Sequence, residues 1–90
     1  MIGTALTLTG DLEAESAIPW IVHRGLLLNL DGWVRRRGAG EIEIALAGPE
    51  PLVAAMEAAC SLGPADILVE HITRQAHDFD HAPGRFRHLS

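Results

Sequence analysis

The chain contains no lysine and only one cysteine. With Cys60 alone no intrachain disulfide can form, which suits a reducing compartment and predicts a cytoplasmic protein. Its seven basic residues are all arginine and face twelve acidic ones, for a formal net charge of −5 at pH 7. That balance disfavours nonspecific binding to nucleic acid and to anionic membrane surfaces. No apolar run approaches the roughly 20 residues that a membrane span requires, and the opening Met1-Ile2-Gly3-Thr4 has no basic n-region, so neither membrane insertion nor secretion is expected. Aromatic residues are scarce, and the strands lack the interleaved aromatics of a base-stacking surface, so Trp20 and Trp33 are read as packing residues.

What is present is the composition of a folded domain. Apolar residues make up 48% and charged residues 21% of the 90 positions, far from the balance of a disordered chain. A chain of this length forms one domain, residues 1–90, and buries only about 60–65% of the surface it exposes when unfolded. From Ile2 to Leu8 the residues alternate, with Ile2, Thr4, Leu6 and Leu8 on one face, which predicts a strand. Gly10 to Ser16 forms a loop rich in carboxylates. Pro19 suits the first turn of a helix, with Ser16 or a neighbour as its cap, and the apolar stripe of Ile18, Ile21, Val22, Gly25, Leu26 and Leu28 carries that helix to about Asn29. Asp31-Gly32 breaks it, Trp33 to Arg35 extends, Arg37 to Gly40 turns, and Glu41 to Leu46 alternates cleanly, which makes a β-hairpin.

Ala47 to Pro51 opens a second helix that buries Leu52, Val53, Met56, Ala59 and Cys60, and Gly63-Pro64 stops it. A strand from Ile67 to Thr73, a polar loop from Gln75 to Gly84 and a short strand from Arg85 to Leu89 complete the chain. The order predicts an α+β fold, a ferredoxin-like βαββαβ sandwich whose antiparallel sheet carries both helices on one face, with room for a fifth strand.

The segments Asp31-Gly32-Trp33-Val34-Arg35, Gly40-Glu41-Ile42-Glu43-Ile44, Gly48-Pro49-Glu50 and Leu62-Gly63-Pro64, in this spacing, resemble the acylphosphatase family, and the resemblance covers most of the chain. It implies hydrolysis of a carboxyl–phosphate anhydride without metal or cofactor. In the family a glycine-rich loop and an arginine hold the phosphate, and an asparagine orients the attacking water. Set against the family's G-x-V-Q-G-V-G-F-R segment from Gly10 onward, the arginine position is Ile18 and two loop glycines become Ala14 and Ser16. The asparagine position is Arg36, which cannot accept a hydrogen bond from water. Losing the preorganised donors costs on the order of a hundred- to a thousandfold in rate for each one removed.

Two functional expectations follow. The first is a domain that has lost catalysis and serves as a binding or interaction module, with Arg36 closed off by a loop carboxylate such as Glu13 or Glu15. The alternative is an acylphosphatase with a rearranged site, using Arg36 or Arg24 for the positive charge. Arg36, Ser16 and Arg24 are the candidate anion-binding residues, and the expected partners are a small anionic ligand or a protein, the latter also able to pair with an exposed sheet edge. His77-Asp78-Phe79-Asp80-His81 has ligand-type residues in too short a run for a defined metal site, so no metal is assigned. His23 and His71 read as surface residues, and Cys60 reads as a buried small hydrophobe.

Overall fold

The structure, a computed structural model, describes residues 1–89. Its elements are β1 (Ile2–Asp11), α1 (Ala17–Leu27), β2 (Asp31–Gly38), β3 (Glu41–Ala47), α2 (Glu50–Leu62), β4 (Leu68–Asp78) and β5 (Arg87–His88). The strands form one sheet in the order β4-β1-β3-β2-β5. This is the expected ferredoxin-like α+β arrangement with one correction: β5 runs parallel to β2, pairing Trp33 with Arg87 and Val34 with His88, so the sheet is mixed.

Period-two alternation explains the layering. Leu6 and Leu8 of β1, Val34 of β2, and Ile42, Ile44 and Leu46 of β3 share the face that meets the helices. Together with Ile21 of α1 and Val53, Met56 and Cys60 of α2 they form the main core, almost wholly withdrawn from water. The other face holds a smaller cluster in which Ala45 and Ala47 lie beneath Phe79 and Trp33.

Helix α1 ends two residues earlier than expected, because Asn29 takes the left-handed conformation at φ 55°. The Asn29 N–H then donates to the Leu26 carbonyl and the Leu30 N–H to that of Gly25, a Schellman stop sealed by buried Leu30. The stop therefore precedes Asp31-Gly32, which already belongs to β2. Gly63, at φ 63°, ends α2 as Gly63-Pro64 foretold. Val53, Met56 and Cys60 are its buried residues, while Leu52 and Ala59 are half-buried.

Strand β4 continues to Asp78, through part of the expected loop, because Ile2 to Ala5 of β1 offer partners as far as the Ile2 and Asp78 pair. Beyond it Phe79 and Phe86 are buried anchors. None of the described helices is long and apolar enough to cross a membrane.

Candidate functional site

The segment between β1 and α1 is held at three points. The Gly10 N–H donates to the Gly40 carbonyl at 3.1 Å, which ties the start of the loop to the β2–β3 turn. Leu12 is fully buried and pins the middle to the core, while Asp11, Glu13 and Glu15 point into solvent. At the far end Ser16 occupies the N-cap position of α1 but makes no side-chain cap bond. Its backbone is already helical, and its hydroxyl donates to the Asp66 carboxylate instead, joining the loop to the segment before β4. The expected cap is absent, and the hydroxyl proton is committed to a carboxylate.

Strand alternation sorts the three consecutive arginines. Arg35 and Arg37 project from the face away from the helices, where Arg35 Nε meets Glu43 Oε1 at 2.8 Å and Arg37 lies 3.5 Å from the same oxygen and 3.8 Å from Glu41 Oε2. Arg36 lies on the helix side, and its Nη1 donates to the Leu12 carbonyl at 2.8 Å. Among the described residues Arg36 forms no ion pair, so the expected closure by Glu13 or Glu15 does not occur. The loop carboxylates extend outward from exposed positions, whereas the guanidinium reaches inward to the backbone. One donor is spent on Leu12, and the rest of the guanidinium stays available to an anion.

Arg24 is not part of this cluster. Its guanidinium carbon sits 5.3 Å from the centre of the Trp20 ring, and its Nε is buried with no hydrogen-bond partner among the described residues. Its charge acts on Cys60 of α2. Burial pushes that thiol up to about 12, and Arg24 opposes the shift while Glu57 adds to it. A thiol so raised carries almost no thiolate near neutral pH and makes a poor nucleophile. Ile18, in the first turn of α1, is 8% exposed and packs in the main core. Of the three anion-binding candidates, only Arg36 therefore offers unused donors beside the loop. Period two in the sequence separates Arg36 from Arg35 and Arg37, and the pairing of Arg35 with Glu43 and of Arg36 with Ile42 fixes which face each takes.

His77 serves packing, its ring lying edge-on between Trp33 at 5.6 Å and Phe79 at 4.5 Å. His23 and His71 are exposed.

The βαββαβ order, with the strands in one sheet and both helices packed on it, defines a ferredoxin-like domain. The acylphosphatase family model matches residues 18–87. An acylphosphatase of Rhodopseudomonas palustris strain BisB5 is 36% identical over 86 residues, covering 90% of this chain and 87% of that protein. One from strain CGA009 is 35% identical over 68 residues, covering 76% and 69%. The crystal structure of acylphosphatase from Bacillus subtilis superposes with a TM-score of 0.90 at 21% identity, over the whole of both chains. The chain belongs to the acylphosphatase family. The segment matched by the family model starts at Ile18, so the loop of residues 10–17 lies outside it.

Proposed function

We propose that the chain is an acyl phosphate hydrolase whose site is rearranged around Arg36. The observation that carries this reading is the Arg36 guanidinium, held 2.8 Å from the Leu12 carbonyl at the β1–α1 loop and neutralised by no carboxylate among the described residues. Against the family pattern that the chain resembles, position 18 on α1 is apolar where an arginine is expected, and position 36 on β2 is cationic where an asparagine is expected. A cation thus remains at the loop, on the strand instead of the helix. The relatives named acylphosphatase support the same reading. A lone buried cysteine suits a reducing compartment, and we place the activity in the cytoplasm.

In this site Arg36 binds the phosphate of the mixed anhydride and stabilises the charge that develops on its oxygens, as a planar guanidinium does well. Water attacks phosphorus and loses a proton to a phosphate oxygen, the bond from phosphorus to the acyl oxygen breaks with its electron pair on that oxygen, and carboxylate and dihydrogen phosphate leave. No side chain described at the loop takes over the orienting of that water, so turnover is slow. The result expected on adding inorganic phosphate, the reaction's product, to 15N-labelled protein is a saturable shift of the Arg36 Nε–H and of the amides of residues 12–18. An unchanged spectrum overturns the reading.

A second reading, a noncatalytic binding module, is favoured by Ile18, which is packed into the core where the family resemblance calls for the phosphate-binding arginine. Both readings allow phosphate to bind, and only the first predicts turnover.

A further inference from the structure

Leu12, whose carbonyl accepts a hydrogen bond from Arg36 Nη1 at 2.8 Å, stands between two acidic residues. Asp11 and Glu13 are its chain neighbours, Glu15 follows two positions on, and all three are exposed. None of the three forms an ion pair among the described residues. The Ser16 hydroxyl, donating to the Asp66 carboxylate, brings a fourth negative charge to the same end of the domain. The arginines on either side of Arg36 do not offset these charges, since Arg35 meets Glu43 and Arg37 lies by Glu41 and Glu43. At the loop one uncompensated cation therefore sits among four carboxylates.

This charge distribution bears on the part of a substrate that Arg36 does not hold. With the phosphate on the guanidinium, the acyl group projects from it past the loop. Consecutive Cα atoms are about 3.8 Å apart, so Asp11 and Glu13 lie within about one Debye length, ~10 Å at 0.1 M salt, of anything bound at Leu12. Two unit charges about 8 Å apart in water alter binding about twofold, and three carboxylates acting together alter it roughly tenfold. The sign is set by the acyl group: a second anion there is repelled and a cation is attracted. Charges placed in this way govern which ligand is accepted more than how tightly the best one is held.

We propose that Asp11, Glu13 and Glu15 make the Arg36 site select acyl phosphates by the charge of the acyl group, taking those that carry an amine ahead of neutral ones and rejecting those that carry a second carboxylate. The inference rests on the hydrolase reading and deepens it: Arg36 holds the phosphate, and the loop carboxylates determine which acyl group can accompany it.

The test compares benzylphosphonate with its para-aminomethyl and para-carboxy derivatives, which share one ring and one anion and differ in the charge carried at the far end. Their P–C bond is not hydrolysed, so affinity is read whether or not the chain turns over acyl phosphates. Each compound is titrated into 15N-labelled full-length protein at an ionic strength of about 0.01 M, with the amides of residues 11–18 and the Arg36 Nε–H as reporters. The aminomethyl compound should bind tightest and the carboxy compound weakest, with about threefold to tenfold between successive members. The spread should collapse at about 1 M salt, where the Debye length is ~3 Å. Glu13→Gln combined with Glu15→Gln, both at exposed positions, should shrink it severalfold. Arg36→Ala should weaken all three compounds. Equal affinities, tightest binding by the carboxy compound, or a spread that the double variant leaves unchanged overturns this inference and leaves the hydrolase reading standing. An aminomethyl compound that keeps its full affinity in Arg36→Ala also overturns it, because the carboxylates would then be binding the amine without the phosphate site. If none of the three gives shifts at about 5 mM, the inference and the hydrolase reading fall together.

Discussion

Gly25 lies in the interior of α1, where glycine costs about 1 kcal/mol of helix stability relative to alanine. On helix propensity alone Gly25→Ala should stabilise the protein. The packing reverses that expectation. A Cβ on Gly25 would stand 2.6 Å from Cγ of Phe86, 2.7 Å from Cδ1 and 3.0 Å from Cδ2. Carbon atoms prefer about 3.5–4.0 Å, so the ring would have to retreat by roughly 1 Å. Phe86 is 3% exposed and sits immediately before β5, so its retreat pulls on the pairing of β5 with β2. Overpacking of this kind costs about 1–3 kcal/mol, and full exposure of the ring would cost about 1.5–3 kcal/mol. Set against a gain of about 1 kcal/mol, the net expectation is a loss of up to about 2 kcal/mol in place of the gain, and at about 4–8 °C per kcal/mol the difference is seen in a thermal melt. Phe86→Leu provides the control, because a smaller, flexible side chain can turn aside. In that background Gly25→Ala should recover most of its propensity gain. A melting temperature raised by Gly25→Ala in the otherwise native chain would refute the close-packing argument.

Gly32→Ala should be more damaging. Its φ is 138°, and a Cβ there would run into the Ala45 carbonyl across the β2–β3 ladder, where backbone cannot yield; a loss of about 4 kcal/mol or failure to fold is expected in urea titration. Cys60 should make the fold sensitive to alkali. Burial lifts its thiol from 9.0 to about 12, so the native state keeps a proton that the unfolded chain releases above about pH 9. Stability from this group is complete below pH 9 and falls as pH rises towards 12, by up to about 4 kcal/mol, and Cys60→Ala should flatten that part of the profile. Arg74→Ala removes solvated contacts with Glu50 and Glu57, so a thermal melt should move little, and less still in high salt.

The layering of this fold was legible because the apolar residues follow the periods of their elements. Glu41 to Ile44 alternates polar with apolar, and Val53, Met56 and Cys60 recur at helical spacing. Features set by distant partners were less legible. Strand β4 extends to Asp78 because β1 is there to receive it, and residues 74–78 are too polar to announce a strand. Asp31-Gly32 was read as a helix breaker, but Asn29 makes the break and Gly32 is required by the close approach of β3. Ser16 looked like a cap, and only the fold brings Asp66 near enough to take its hydroxyl. At the site, strand alternation was enough to separate Arg36 from Arg35 and Arg37. That Arg36 would bond to the Leu12 carbonyl, with Glu13 and Glu15 left in solvent, depended on how the loop is pinned by Leu12 and was beyond sequence pattern.

The most direct measurement of the central claim is the rate of benzoyl phosphate hydrolysis by the purified chain, by its Arg36→Ala variant and by buffer alone. Arg36→Ala should leave the fold intact, since it removes one exposed side chain and a single bond to Leu12. The hydrolase reading predicts turnover above buffer for the native chain, reduced by on the order of a hundredfold or more in Arg36→Ala, the loss typical of one charge-stabilising donor. Hydrolysis by the native chain no faster than buffer, or unaffected by Arg36→Ala, would contradict it.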